Sequence, residues 1–407
     1  STEDTCLPDT PAVALTAEET ALYDSTVGVL LTQDLWTSRD VYDSAHYLMV
    51  PMHYAFAVGD MKKIDAFAAF FDRFVTDVTG ADQYSFQEQG VLNLLQFYYF
   101  TTQFIALCAE SGCPEKVPEG LLSMIEPQVE TVFSEYPSNW VSEPTRKAHF
   151  YQVLAGKQYP FSYYSIIDDV DMYILAALCN LGVYRQKTGT EPTAVEAEAA
   201  ELAYKLLASP LLNEETENGG WVFQRGVWWD YPGLAYAGHQ AILPNMEPKP
   251  RRDVTWDSSH FARMASCIIS YRNAQPTQER YALIEKRRAQ LATQFATEIC
   301  KKVNGYWLAT TFIDGTNGVY GIYSGYENSA HILIGWWSLL GDTRIRQSYT
   351  DILQEFPLEA NRDTNPYFDF ATTRDQNPFY DADTGYDLGM YQCMVMCASK
   401  LPCASRS

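Results

Sequence analysis

Apolar residues recur along most of the chain at the spacing of an α-helix, and the helical segments come in pairs. The first member of a pair is apolar nearly all round, as in residues 48–60, whereas the second is amphipathic, as in residues 62–75. An inner helix buried by its neighbours and an outer helix that faces water give this pattern. The pairs recur about every 50 to 70 residues, which predicts an α/α toroid of about six to seven helical hairpins.

The pairs also predict an all-α fold and a single domain over residues 1–407, because a run of valine, isoleucine and threonine long enough for a central sheet is missing. Four inner helices are predicted to begin near Ser44, Asp169, Ser258 and Asn328. The aspartates at or near helix starts are Asp43, Asp168, Asp257 and Asp387. Each is a candidate helix cap, and in a toroid the starts of the inner helices would converge on one mouth.

The stretch from Gly219 to Asn273 departs from the pattern, because its first two thirds have no helical apolar period. Tryptophans and tyrosines alternate there with basic residues, and a helix that carries His260 and Arg263 follows. Long loops without structure are uncommon inside compact domains and are usually functional or disordered. The aromatic content argues against disorder. We therefore expect this loop to form the wall of a binding cleft, with Trp228 and Trp229 as sugar platforms.

Composition and charge limit the function further. With 407 residues, 47% of them hydrophobic and 14% aromatic, the chain can bury a large core. No apolar run approaches the ~18 residues of a membrane span, so we expect no membrane association. A net charge of -22 argues against nucleic-acid binding, although basic residues in the long loop could still attract an anion. We expect a monomer.

Nine cysteines in one chain favour an oxidising compartment, and their spacing fits no zinc site. Cys108 and Cys113 flank an expected helix end, which predicts a disulfide between them. Together with a first residue other than methionine, the cysteines predict a secreted or periplasmic protein. The acidic run 381–387 lacks the glutamate that ends a calcium-binding loop. We expect no metal ion and no cofactor.

Three short stretches, residues 34–47, 252–260 and 318–331, resemble the α/α-toroid polysaccharide lyases that cut alginate or glucuronan. The likeness covers most of the chain in the order of its helices, and only these stretches in their residues. The resemblance implies β-elimination on a uronic-acid polymer, with a tyrosine and a histidine as the acid and base. The expected partner is thus an acidic polysaccharide substrate.

Elimination at a uronate needs a group that neutralises the carboxylate, a base for the C5 proton and an acid for the leaving oxygen. Arginine can bind a planar carboxylate through two hydrogen bonds. Nearby cations can lower the pKa of a tyrosine, which allows it to transfer a proton. The predicted catalytic residues are His260, Tyr323 and Tyr326, with Tyr323 preferred because glycines flank it. The predicted substrate-binding residues are Arg225, His239, Arg252, Arg263, Trp228, Trp229, Asn328, His46 and Tyr320.

Two other functions remain open from the sequence. A glycoside hydrolase on the same scaffold needs two carboxyl groups at the scissile bond, and candidates are Asp168 and Asp169 with Asp257 or Glu327. The arginines and histidines of the long loop favour an acidic substrate over this alternative. A non-catalytic glycan-binding protein would keep the tryptophan platforms and would need no tyrosine–histidine pair.

Overall fold

A computed structural model describes residues 10–80, 84–321, 331–372 and 389–403, which are mostly helical. The α-helices are α1 Ala17–Ser25, α2 Val27–Leu30, α3 Ser38–Ala57, α4 Met61–Val78, α5 Phe86–Gln89, α6 Val91–Glu110, α7 Leu121–Glu135, α8 Arg146–Leu154, α9 Asp169–Lys187, α10 Ala194–Ala208, α11 Ser258–Asn273, α12 Gln278–Gln294, α13 His331–Ile334, α14 Thr343–Leu353, α15 Pro366–Thr372 and α16 Gly389–Ala398. This content agrees with the all-α prediction.

The described strands form two small antiparallel hairpins rather than a central sheet. One pairs β1 Asn213–Glu215 with β2 Trp221–Phe223, and the other pairs β3 Cys300–Val303 with β4 Tyr306–Ala309. Short 3-10 helices cover Pro114–Lys116, Ser162–Ser165, Pro232–Leu234, Trp336–Leu340 and Leu358–Asn361, and a π-helical turn covers Phe295–Ile299. Both hairpins interrupt the helical pairs in loops, as the lengthened connections of the sequence suggest.

The apolar helices of the predicted pairs pack against one another in chain order. Helix α3 contacts α6, α6 contacts α9, and α9 contacts α11. Helix α11 contacts α13 and the 3-10 helix Trp336–Leu340, both of these contact α16, and α16 contacts α3. The amphipathic members contact them: α4 contacts α3, α10 contacts α9, α12 contacts α11, and α14 contacts both the 3-10 helix Trp336–Leu340 and α16. The order of contacts thus returns to the helix where it began.

Helix caps explain two of the predicted helix starts and correct a third. Asp168 and Asp257 are the N-caps of α9 and α11, and each carboxylate accepts a backbone N–H of the first turn. Helix α3 begins at Ser38 rather than near Ser44, because Thr37 accepts the N–H of Asp40 as its cap. Asp43 therefore lies inside the helix. The predicted start at Asn328 and the candidate cap Asp387 lie outside the described residues.

Helix α6 corrects the expectation that no apolar run is long enough for a membrane span. By length and composition it could cross a membrane, and 78% of the tested window is buried inside the fold. Its neighbours α3 and α9 cover it on two sides. A core helix of a globular protein passes the same test, since burial by other helices also demands apolar residues all round.

Gly335 divides the apolar segment that precedes α14 into two pieces. Its left-handed φ of 87° ends α13, and the 3-10 helix Trp336–Leu340 follows. A side chain at this position would lie 3.2 Å from Ala398 and 3.5 Å from Val50. The fifth apolar element in this order is therefore a broken helix, because glycine is the residue that both adopts this conformation and leaves room for α3 and α16.

The disulfide predicted between Cys108 and Cys113 is not present in the structure. All eight cysteines that the structure describes are free and buried. The turn at Gly112 brings the two residues together, since the Cys113 N–H donates to the Cys108 carbonyl at 2.9 Å. Burial raises the pKa of both thiols, which disfavours the reactive thiolate.

Candidate active site

A cleft of about 280 Å³ opens where α6, α9 and α11 begin. Aromatic rings form much of its wall, and carboxyl, amide and imidazole groups are interspersed among them. The aromatic lining residues are Trp140, Trp228, Tyr231, Trp256 and Tyr320. The polar lining residues are Asn139, Asp168, Asp169, Asp257 and His260. Two acidic helix caps, Asp168 and Asp257, thus line one cleft.

Asp168 is held by a buried polar cluster. Its carboxylate accepts the N–H of Asp171 at 2.8 Å and the side-chain amide of Asn139 at 2.5 Å. The Arg146 guanidinium lies 3.7 Å from Asp168 and binds Asp171 more closely, at 2.7 Å. Burial, followed by the negative charge of Asp171, raises the pKa of Asp168 well above its usual range, and Arg146 offsets only part of this. Asp168 is thus suited to hold a proton.

Asp169 faces the cleft and is backed by a buried arginine. Its side chain is 16% exposed, and one carboxylate oxygen lies 3.7 Å from Nε of Arg263. The Arg263 side chain is only 2% exposed and donates to the Tyr42 hydroxyl at 3.0 Å. Among the described residues, its Nε and Nη1 groups find no hydrogen-bond partner. The carboxylate and the guanidinium therefore form a charge pair at the floor of the cleft.

His260 and Asp257 form a second charge pair at the start of α11. Nδ1 of His260 donates to Asp257 and lies 2.9 Å from both carboxylate oxygens. The charge of Asp257 raises the pKa of His260. Burial alone would raise the pKa of Asp257, but the charge and hydrogen bonds of His260 together lower it. The ring of Tyr320 stacks over His260 at a centroid distance of 6.2 Å.

The aromatic wall is continuous. Trp228 contacts Trp140, Tyr231 and Trp256 at centroid distances of 5.5, 5.1 and 5.3 Å. Trp256 is 2% exposed, and its indole N–H lacks a hydrogen-bond partner within the described part of the chain. This unpaired donor is unfavourable for the fold.

Three of the predicted site residues line the cleft, namely His260, Trp228 and Tyr320. Arg263 lies beneath the floor and reaches the cleft only through Asp169. His46 is fully buried inside α3, where its ring contacts Tyr42 and Trp336. The predicted residues Tyr323, Tyr326 and Asn328, and the alternative carboxylate Glu327, lie outside the described residues.

The remaining predicted cations bind partners away from the cleft. Arg225 forms ion pairs with Glu214 at 2.6 Å and Asp314 at 3.3 Å. The Arg252 guanidinium stacks on Trp229 at 4.1 Å from the ring centroid. Nε2 of His239 lies 2.9 Å from the backbone carbonyl of Glu247. The basic residues of the long loop thus hold the loop together rather than line its cavity.

Sequence reasoning missed Asn139, Trp140, Tyr231 and Gln224. Gln224 is 2% exposed and has a left-handed φ of 53°. Its side-chain amide accepts the N–H of Ile167 and donates to the carbonyl of Ser165, each at 3.0 Å. It therefore fixes the backbone just before the two adjacent aspartates. A glutamine after a short strand carries no sequence signal for this role, whereas Asn139 and Trp140 follow a Pro-Ser turn that marks a loop.

A possible metal-binding cluster lies away from the cleft. Within the described ranges, the three carboxylates close enough to share an ion are those of Glu126, Glu130 and Glu196. Arg185 forms ion pairs with Glu126 and Glu196, the second at 2.8 Å. A protein cation thus already occupies the place that a metal ion would take.

Comparison of the chain with protein-family models, with curated proteins and with solved structures finds no match. Its function is therefore argued from the geometry and chemistry of the cleft.

Proposed function

We propose that the protein is a glycoside hydrolase on an α/α-toroid scaffold, acting on a neutral polysaccharide, with Asp168 and Asp169 as its catalytic carboxyl groups. The contacts of the inner helices, which run from α3 to α16 and back to α3, support the toroid. The cleft at the starts of α9 and α11 lies where such a scaffold gathers its helix N-termini.

The observation that carries the proposal is the different environment of two adjacent carboxyl groups in one cleft. The raised pKa of Asp168 fits a general acid that protonates the leaving oxygen. Asp169 is open to the cleft and sits beside the cation Arg263, which fits a base or nucleophile. Hydrolysis of a glycosidic bond needs one carboxyl group in each of these roles.

The charges around the cleft support a neutral substrate. Three aspartates line it, and among the described lining residues only His260 can oppose them with a positive charge. Arg225 and Arg252, which were expected to hold a uronate carboxylate, have other partners. Because Asp169 is paired with Arg263 and Asp257 with His260, the described lining residues offer a polyanion no unpaired cation.

A β-elimination on a uronate polymer is the second candidate. It is favoured by the stacked pair His260 and Tyr320, which places an imidazole and a phenol on one wall of the cleft. Proton transfer by such a pair would suit the lyase chemistry that the sequence resemblance implies. Arg263, which lies behind Asp169, would then have to neutralise the uronate carboxylate without contacting it directly.

The test separates these candidates by product. The protein is mixed with neutral polymers (mannan, xylan, mixed-linkage glucan) and acidic ones (alginate, glucuronan, pectate, hyaluronan). Reducing ends and absorbance near 235 nm are then followed. Hydrolysis releases reducing ends alone, whereas elimination also produces the absorbing double bond. Retention on a polymer without either signal would indicate a glycan-binding protein.

Variants then test the two carboxyl groups. Asp168→Asn and Asp169→Asn should each lower the rate by about 10² to 10⁴-fold with the fold intact. Asp60→Asn is the matched control, because Asp60 caps α4 and lies outside the cleft lining. Near-parental rates in both cleft variants, or an absorbance signal lost on substitution of His260, would contradict the proposal.

A further inference from the structure

The aromatic wall of the cleft continues outward to the protein surface. From Trp228 the contacts run to Tyr231, then to Tyr163 at a centroid distance of 5.3 Å, then to Phe161 at 5.6 Å. We call Tyr231, Tyr163 and Phe161 the aromatic strip. Tyr231 lines the cleft, Tyr163 is half-buried, and Phe161 is 45% exposed. The strip therefore leads from the candidate active site to solvent.

Hydrogen bonds hold the strip rigidly against the long loop. The Ser162 N–H donates to the Asp230 carboxylate, with oxygens at 2.9 and 3.0 Å, and its hydroxyl lies 2.5 Å from the same group. Asp230 directly precedes Tyr231, so one carboxylate fixes the two ends of the strip together. Preformed sites bind with less loss of conformational freedom than flexible loops do.

The ring of Phe161 is partly exposed to solvent although two tyrosine rings pack against it. Its neighbour Tyr163 stacks on one side with an interplanar angle of 29°, and Tyr164 meets it edge-on at 5.4 Å. Nearly half of the side chain is still accessible. A pyranose ring presents an apolar face of C–H groups and a rim of hydroxyls. That shape matches a flat apolar ring beside tyrosine hydroxyls.

We propose that the aromatic strip is an outer subsite that binds a neutral polysaccharide chain as it leaves the cleft. The inference rests on the proposed function, because the catalytic carboxyl groups define where the chain is cut. The strip would bind sugar units on one side of that point. A long chain would thus gain affinity that a short oligosaccharide confined to the cleft would not.

Binding without turnover tests the strip. In the Asp169→Asn background, retention in native gels cast with soluble yeast mannan, galactomannan, xylan or mixed-linkage glucan gives a dissociation constant for each polymer. Adding Phe161→Ala should weaken binding about threefold to tenfold for the polymer that is retained. Phe161→Leu should weaken it similarly, because leucine keeps apolar bulk but has no flat face. Tyr151→Ala is the control, since Tyr151 is 40% exposed on α8 and its hydroxyl donates to Glu198 of α10.

Several results would overturn the strip as a glycan subsite. The first is that none of the four polymers retains the protein. The second is that Phe161→Ala and Tyr151→Ala are retained equally, and the third is that Phe161→Leu is retained as fully as the Asp169→Asn parent. A dimer that Phe161→Ala converts to a monomer in sedimentation would assign the strip to self-association instead. The proposed function fails separately, if Asp169→Asn alone keeps full hydrolytic activity while Phe161→Ala still weakens binding.

Discussion

Replacing Asp257 with asparagine isolates the ion pair at the start of α11. Asparagine caps a helix about as well as aspartate, so the backbone N–H of His260 keeps an acceptor. The substitution removes only the negative charge that faces Nδ1 of His260 at 2.9 Å. The pKa of His260, raised in the parent by Asp257, should therefore fall.

The geometry sets the size of the effect. A hydrogen bond to a charged group contributes about 1.5 to 3 kcal/mol, whereas exposed ion pairs contribute about 0.2 to 1 kcal/mol. The His260 side chain is 44% exposed and that of Asp257 is 9% exposed, so we expect an intermediate loss of about 1 to 2 kcal/mol. With an unfolding entropy of about 2.1 cal/mol/K per residue, the 407 residues convert this loss to about 1 to 2 °C in Tm.

The effect should depend on pH in a defined direction. The raised pKa of His260 stabilises the fold below the unfolded value of about 6.5, and this is lost as pH rises through the folded pKa. The lowered pKa of Asp257 stabilises the fold above about 3.9, and this is lost as pH falls through the folded pKa. The full loss is thus expected near pH 5.5 and a much smaller one near pH 9.

Scanning calorimetry at the two pH values measures the Tm differences, and NMR titration of isotope-labelled histidine, of which the chain has 6, follows His260 directly. Asp60→Asn is a matched control, because Asp60 also caps a helix and pairs with Lys63 at 2.7 Å. Lysine stays charged at pH 9, so that loss should be similar at both values. Equal losses for Asp257→Asn at both pH values, or a greater loss at pH 9, would refute the reasoning.

Other substitutions test the frame around the cleft. Gln224→Ala should cost roughly 2 to 4 kcal/mol in urea unfolding, because it removes the side-chain partner of the Ile167 N–H and of the Ser165 carbonyl; a loss under 1 kcal/mol would contradict this. Gly318→Ala should lower Tm by several degrees, since a Cβ there would lie 2.1 Å from the Ala237 carbonyl oxygen. Gly80→Ala, which meets nothing within 4 Å, is its control. Leu178 on α9 is fully buried. Leu178→Ala should therefore lower the free energy of unfolding in urea by about 2 to 5 kcal/mol, because it leaves a cavity in the core.

Local signals made the helices predictable. The starts of α9 and α11 follow from an aspartate before an apolar run. A capping residue and the backbone N–H that it accepts lie within four consecutive residues, so the signal is local. The same rule, applied six residues earlier, also accounts for α3: Thr37 stands three residues before Asp40, which is a cap signal in its own right. The predicted start near Ser44 is therefore six residues too late.

The cleft was less predictable, because its composition depends on distant partners. Arg225 looks available for substrate in the sequence, yet Asp314, 89 residues away, neutralises it. Trp140 and Trp228 meet only in the folded chain, and nothing local marks their contact. The residue types of a binding loop indicate that a cleft exists, whereas the pairing of charges across the fold decides which of them face it.

The buried guanidinium of Arg263 has a consequence for engineering the protein. Its side chain is 2% exposed, and two of its nitrogens lack hydrogen-bond partners among the described residues, although one of them lies 3.7 Å from Asp169. Burying a charge with so few hydrogen bonds costs free energy. Replacing a buried ion pair with apolar or neutral groups of similar volume is often neutral or stabilising, by about 1 to 4 kcal/mol. A selection for heat resistance alone would therefore favour losing Arg263 together with the charge of Asp169. If Asp169 acts in catalysis as proposed above, a selection that also demands turnover would retain both residues, and stability would have to be gained elsewhere in the molecule.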